Sequence, residues 1–211
     1  MTQGTATPES SPQIDIRDHL GVLLDQAVFD VGIALHGRTT NEGMALDHLV
    51  SSPAGVDVVQ IVSAAGRVRV LTAGLRHLER TLCLDERDAT RLLLQLDAAC
   101  ADVEIALSTA AACPPVRGWL CLAGADWHGA PEHIRLAGFE VVSPTTLLRE
   151  LCFEGRIRIS QVVATVELLE STFPRHLSPD GGVGVPRALP RPDLPPAGRA
   201  RVLAGAALSR R

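Results

Sequence analysis

Two runs rich in valine and leucine, Ala45 to Val50 and Val56 to Ser63, flank the tetrapeptide Ser52-Pro53-Ala54-Gly55. Proline presets φ for a turn and glycine accepts a positive φ, so the chain reverses there. The flanking β-branched residues favour extended structure. The segment therefore reads as a β-hairpin, and it constrains everything around it. A hairpin with two apolar strands needs layers on both faces.

The flanking sequence supplies those layers. Apolar residues at Ile16, Leu20, Leu23, Leu24 and Ala27 fall on one face of a helix predicted over Ile14 to Phe29. A short strand is expected over Val31 to Leu35, then a polar loop from Arg38 to Gly43. Beyond the hairpin, Arg67 to Leu71 and Arg80 to Leu84 read as further strands. The longest helix is predicted over Asp88 to Ala112, stopped by Pro114-Pro115. Strands are expected at Val116 to Leu122 and Phe139 to Val142, joined through a loop from Gly124 to Pro131. Ser143-Pro144 suits a helix start running through Leu151, and Ser160 suits the cap of a last helix ending at Phe173. This order predicts an α/β/α sandwich on a mixed sheet.

Three regions follow from composition: a disordered leader over 1–13, an α/β domain over 14–173, and a tail over 174–211 rich in Pro, Gly and Arg. The tail carries seven Arg and two Asp, a net +5; the rest carries a net −9. An acidic core is a poor platform for phosphate backbones, so nucleic-acid contact is expected, if anywhere, through the tail. A protein partner is the other option. Five cysteines without a Cys-x-x-Cys pair read as buried thiols of a cytoplasmic protein, and no apolar run suggests a membrane partner.

Leu46-Asp47-His48-Leu49-Val50, with Pro53-Ala54-Gly55-Val56 and Val58-Val59, resembles the metal-binding hairpin of the nuclease-related domain (NERD) family. That family belongs to the restriction-endonuclease-like superfamily. Val116-Arg117-Gly118-Trp119-Leu120-Cys121, Ala125-Asp126-Trp127 and Val141-Val142-Ser143-Pro144 with Leu147-Leu148 resemble later segments of the family in the same order. The resemblance implies a restriction-endonuclease-like sandwich and a Mg²⁺-dependent phosphodiesterase. It implies that Asp47 is the first acid, that Gln60 stands at the second acid, and that Val62 stands at the catalytic lysine. The chain contains no lysine at all; its 20 basic residues are arginine. The stretch Asp15-Ile16-Arg17-Asp18-His19 replaces the helix start that brings the family's glutamate.

The resemblance therefore implies a degenerate member, lacking or strongly reduced in phosphodiesterase activity, with no cofactor or a weak Mg²⁺ site at Asp47, acting as a binding or regulatory module. Mg²⁺ prefers several anionic oxygens in octahedral geometry. Asp18 or Glu42 would have to restore the acid, and Arg67 or Arg69 the positive charge, for an active nuclease with migrated residues. A protein-interaction module without a nucleic-acid role is the third reading. Asp57, three residues from Gln60, is expected on the opposite face of its strand, while Asp47 and Gln60 are expected to converge. His48 and Cys121 read as packing residues, and Trp127 as the anchor of its loop.

Overall fold

A computed structural model describes residues 16–73, 79–110, 113–151 and 153–176. The leader, and the tail beyond His176, lie outside the described residues, so the expectations for them stand on sequence alone.

The hairpin forms as the turn chemistry requires: β2 (Ala45–Ser52) and β3 (Gly55–Ser63) pair antiparallel, with Ser52 opposite Gly55. Gly55 has φ 134, and a Cβ there would collide with the Pro115 carbonyl, so only glycine fits this turn. β1 (Ile33–Thr39) pairs antiparallel with β2 on its other side. It runs four residues past the predicted end. The predicted loop starts inside it because the Arg38 charge is satisfied within the fold: Arg38 is 4% exposed, and its Nη2 lies 2.8 Å from Glu170 Oε1.

β7 (Val116–Ala123) adds parallel to β3, and β9 (Phe139–Val142) parallel to β7. β8 (His133–Leu136), not predicted, pairs antiparallel with β9 and closes the far edge. The six-stranded order is β1-β2-β3-β7-β9-β8, a mixed sheet. The predicted strands at Arg67 and Arg80 do not join it. β4 (Val68–Ala73) and β5 (Glu79–Leu84), with the two-residue β6 (Arg87–Asp88), form a separate small sheet.

One face of the main sheet packs α1 (Ile16–Val28) and α3 (Pro144–Glu150), burying Leu20, Leu24, Val59, Ile61, Cys121 and Leu147. The other packs α2 (Thr90–Leu107) and α4 (Ile159–Thr172), with Val56, Val58, Leu96, Leu120 and Leu169 in the core. The predicted α/β layering on a mixed sheet is present.

The helix boundaries moved for local reasons. α2 starts where Asp88 Oδ1 accepts from the Thr90 N–H, and ends where Ser108 Oγ bonds the Ile105 carbonyl. α3 has the predicted Ser143 cap, which accepts from the Thr146 N–H. α4 begins one residue before Ser160, with Gln161 Oε1 accepting from the Arg158 N–H. After Phe173 the chain stays on the sheet: Thr39 N–H donates to the Pro174 carbonyl, and His176 N–H to the Gly37 carbonyl.

Candidate functional site: an arginine against Asp47

The regular pairing of β2 with β3 runs from Ser52 opposite Gly55 to His48 opposite Val59. Asp47 follows, 8% exposed, and its carboxylate reaches across to β3. Oδ2 accepts from the Ile61 N–H at 2.7 Å. Oδ1 lies 3.3 Å from Arg17 Nε, which α1 brings in from its first turn. Arg17 Nη2 also donates to the Ile61 carbonyl at 3.2 Å. One guanidinium thus spans the acid of β2 and a main-chain oxygen of β3. Cys121 lies close enough on β7 to feel Asp47; burial first, and that charge second, push its thiol up to about 12. It is an inert core residue.

Gln60 and Val62 do not join this cluster. On β3, Asp57, Val59 and Ile61 face α1, while Val56, Val58 and Val62 face α2 and α4. Alternation puts Gln60 with the second set. Its Oε1 is buried without a protein hydrogen bond. The expected convergence of Asp47 and Gln60 is therefore not observed, because Asp47 makes its contacts toward α1 and the Ile61 backbone. Asp57 does lie opposite Gln60, as expected. It is fully buried, bound by Arg117 Nη2 and by Trp119 Nε1, each at 2.8 Å. Burial raises its pKa, against the pull of Arg117 and the Trp119 hydrogen bond.

The candidate replacements are placed elsewhere. Asp18 is exposed on α1, and Glu42 is exposed in the turn between β1 and β2. Arg67 pairs with Asp126 at 3.1 Å, and Arg69 is exposed on β4. Trp127 packs against the core as expected. Among the described residues no group of three or more His, Cys, Asp or Glu could hold a metal ion. The donors around Asp47, one carboxylate already bonded to a cation and an N–H, do not fit Mg²⁺.

Beside this pair lies a chain of imidazoles that sequence reading missed. His36 Nδ1 and His48 Nδ1 are 2.7 Å apart, and His36 Nε2 is 3.0 Å from Asp25 Oδ1. The rings meet edge to face at 4.8 Å. Gly21 of α1 lies over them; a Cβ there would be 3.4 Å from His48 Cε1. A carboxylate only accepts, so neutral His36 carries its proton on Nε2 and accepts at Nδ1. His48 then donates from Nδ1 and keeps a lone pair on Nε2, a buried atom with no protein partner. Burial, then the positive charge that His36 carries when protonated and the Arg17 charge, lower the His48 pKa to about 3.

The signal that could have found Arg17 was the helix start itself, where the resemblance places a glutamate. No family model, curated protein or solved structure matches the chain. Among the described residues no helix is long and apolar enough to cross a membrane.

Proposed function

We propose that this chain is a NERD-like protein of nuclease ancestry, lacking or strongly reduced in phosphodiesterase activity, that works as a binding or regulatory module. The observation that supports this most is the Arg17 guanidinium lodged against both Asp47 and the Ile61 carbonyl. In the superfamily that the chain resembles, the first-strand acid and the backbone carbonyl between the second acid and the lysine hold the divalent cation, and those positions here are Asp47 and Ile61. The positive charge they favour is supplied by the chain itself. A guanidinium satisfies a carboxylate but does not generate a hydroxide as a metal does, and arginine does not give up its proton to act as a base. The missing acid at Gln60 and missing lysine at Val62 agree with this reading.

The test is cleavage. The purified chain, given Mg²⁺ or Mn²⁺ and either plasmid or single-stranded DNA, is expected to cut no faster than its Asp47→Ala variant. Robust divalent-dependent cleavage that Asp47→Ala abolishes overturns the proposal and favours the migrated site.

A further inference from the structure

α1 buries Leu20, Leu24 and Val28 against the sheet and turns a different set of side chains to water. Asp18, Val22, Asp25 and Phe29 recur at steps of four, three and four residues, which sets them in one line along the helix. Val22 is 56% exposed; Phe29, just past the helix end, is 83% exposed, and Val31 in the following turn is 37% exposed. Phe29 is the most exposed large apolar residue among the described residues. Apolar side chains grouped in this way on one face mark an interaction surface.

Acids rim this strip. Asp18 and Asp30 are exposed, and the Asp25 side chain, although it accepts from His36 Nε2, keeps 59% of its surface in water. Arg17 is the one arginine between residues 16 and 36, and it is committed to Asp47. On α3, which packs beside α1, Arg149 is paired with Glu150 at 3.2 Å. Three carboxylates thus stand around the apolar side chains. They repel phosphate backbones and anionic lipid, and they favour a cation.

We propose that the outer face of α1 docks a cationic amphipathic helix of a partner protein. The partner's apolar side chains lie against Val22, Phe29 and Val31, and its Arg or Lys residues against Asp18, Asp25 and Asp30. A line of alternating acid and apolar positions on one helix is matched by a second helix that carries cationic and apolar positions at the same repeat. The charges set partner choice and the rate of encounter, while the apolar contacts hold the complex. The proposal rests on the binding role inferred above and names the partner class for it.

Fluorescence anisotropy of a labelled synthetic peptide titrated with the full chain tests this. The peptide has about 18 residues of Leu and Arg, with Leu at helical spacing on one face. Its control has the same composition in scrambled order. Saturable binding of the first, about tenfold tighter than of the second, is expected. Phe29→Ser should weaken it about tenfold, through lost apolar contact. Asp30→Arg should weaken it about fivefold, through like charges brought together. Both positions are exposed, so the melting temperature should hold. Asp97→Arg makes the same charge change on the exposed side of α2 and should leave affinity within about twofold, which separates this face from general attraction to an acidic domain. Equal binding of the two peptides, or an equal loss from Asp97→Arg, overturns the proposal. So does the absence of binding by the full chain, whether the face is unused or is filled by a second copy or by the chain's own arginines beyond His176. DNA cleavage that Asp47→Ala abolishes would end the reading of a degenerate nuclease without touching peptide affinity, and absent peptide binding would end this proposal alone.

Discussion

Arg17 grips Asp47 from one side while Ile61 grips it from the other: Nε stands 3.3 Å from Oδ1, and the Ile61 N–H donates to Oδ2 at 2.7 Å. The Asp47 side chain is largely buried and the Arg17 side chain is a quarter exposed. Removing the cation leaves a desolvated carboxylate with fewer partners. Arg17→Ala is expected to cost roughly 1–3 kcal/mol, the usual penalty for stranding a buried polar group. Urea unfolding measures it. The same variant should acquire weak Mn²⁺ binding by calorimetry, but no cleavage, since Gln60 and Val62 still lack the acid and the lysine. Cleavage by Arg17→Ala alone would show that the guanidinium was the sole block.

His48 gives the fold a definite acid limit. Its pKa falls from 6.5 to about 3 on folding. The unfolded chain therefore binds a proton at His48 throughout that window, and the folded chain does not. Stability present above the unfolded value is lost as pH falls toward the folded one. At 1.36 kcal/mol per unit, the loss over the whole window is on the order of 5 kcal/mol. Thermal melts at several pH values between 7.5 and 4 should drop more steeply for the native chain than for His48→Gln. Parallel curves would show that His48 is not the group responsible.

Much of the fold was legible because periodicity reports burial, and burial here is regular. α1, the hairpin, α2 and β7 all follow apolar spacing. The short strands β6 and β8 were not legible: two to four residues carry little period, and neither is followed by a helix start such as the Ser143-Pro144 that marks the end of the equally short β9. The site was legible only in part, for a specific reason. Leu35 and Arg38 on β1, like Leu46 and Leu49 on β2, face the same α2/α4 side at a spacing of three. Strict alternation forbids that. Gly37, at φ 56, lies between the first pair and opposite the segment between the second. The strands turn over there, so a face assigned to Asp47 by counting from its neighbours is unreliable. Arg17 lies 44 residues from Ile61, and its contact is purely tertiary. His36 and His48 face each other only once the β1–β2 register is known.

Asp57 is the most demanding charge in the core. It has no exposure, and both of its oxygens are used, by Arg117 and by Trp119. Asp57→Ala would leave the buried indole N–H without its acceptor and take one partner from Arg117, whose side chain is about a third exposed. A loss of roughly 1–3 kcal/mol is expected, the usual penalty for a buried donor without an acceptor, because the Arg117 charge can reach water. Asp57→Asn keeps an acceptor for Trp119 and should lose less. Equal losses in chemical denaturation would mean that the Trp119 hydrogen bond carries little of the energy.

The last prediction separates the sheet edge from the basic tail. Pro174 to His176 supply two main-chain hydrogen bonds to β1 and lie beside the buried Arg38, whose Nη1 donates to the Phe173 carbonyl at 3.4 Å. The segment beyond them has a composition too rich in Pro, Gly and Arg to offset its chain entropy by burial. A chain ending at His176 should therefore melt at the temperature of the full chain. A chain ending at Phe173 should be less stable by roughly 1–3 kcal/mol, from two lost hydrogen bonds. If the full chain binds nucleic acid, affinity should fall steeply with salt and vanish in the chain ending at His176, because the remainder is net acidic. Binding that survives that truncation would place the contact on the folded domain. A lower melting temperature for the chain ending at His176 would mean that the basic segment packs against the domain.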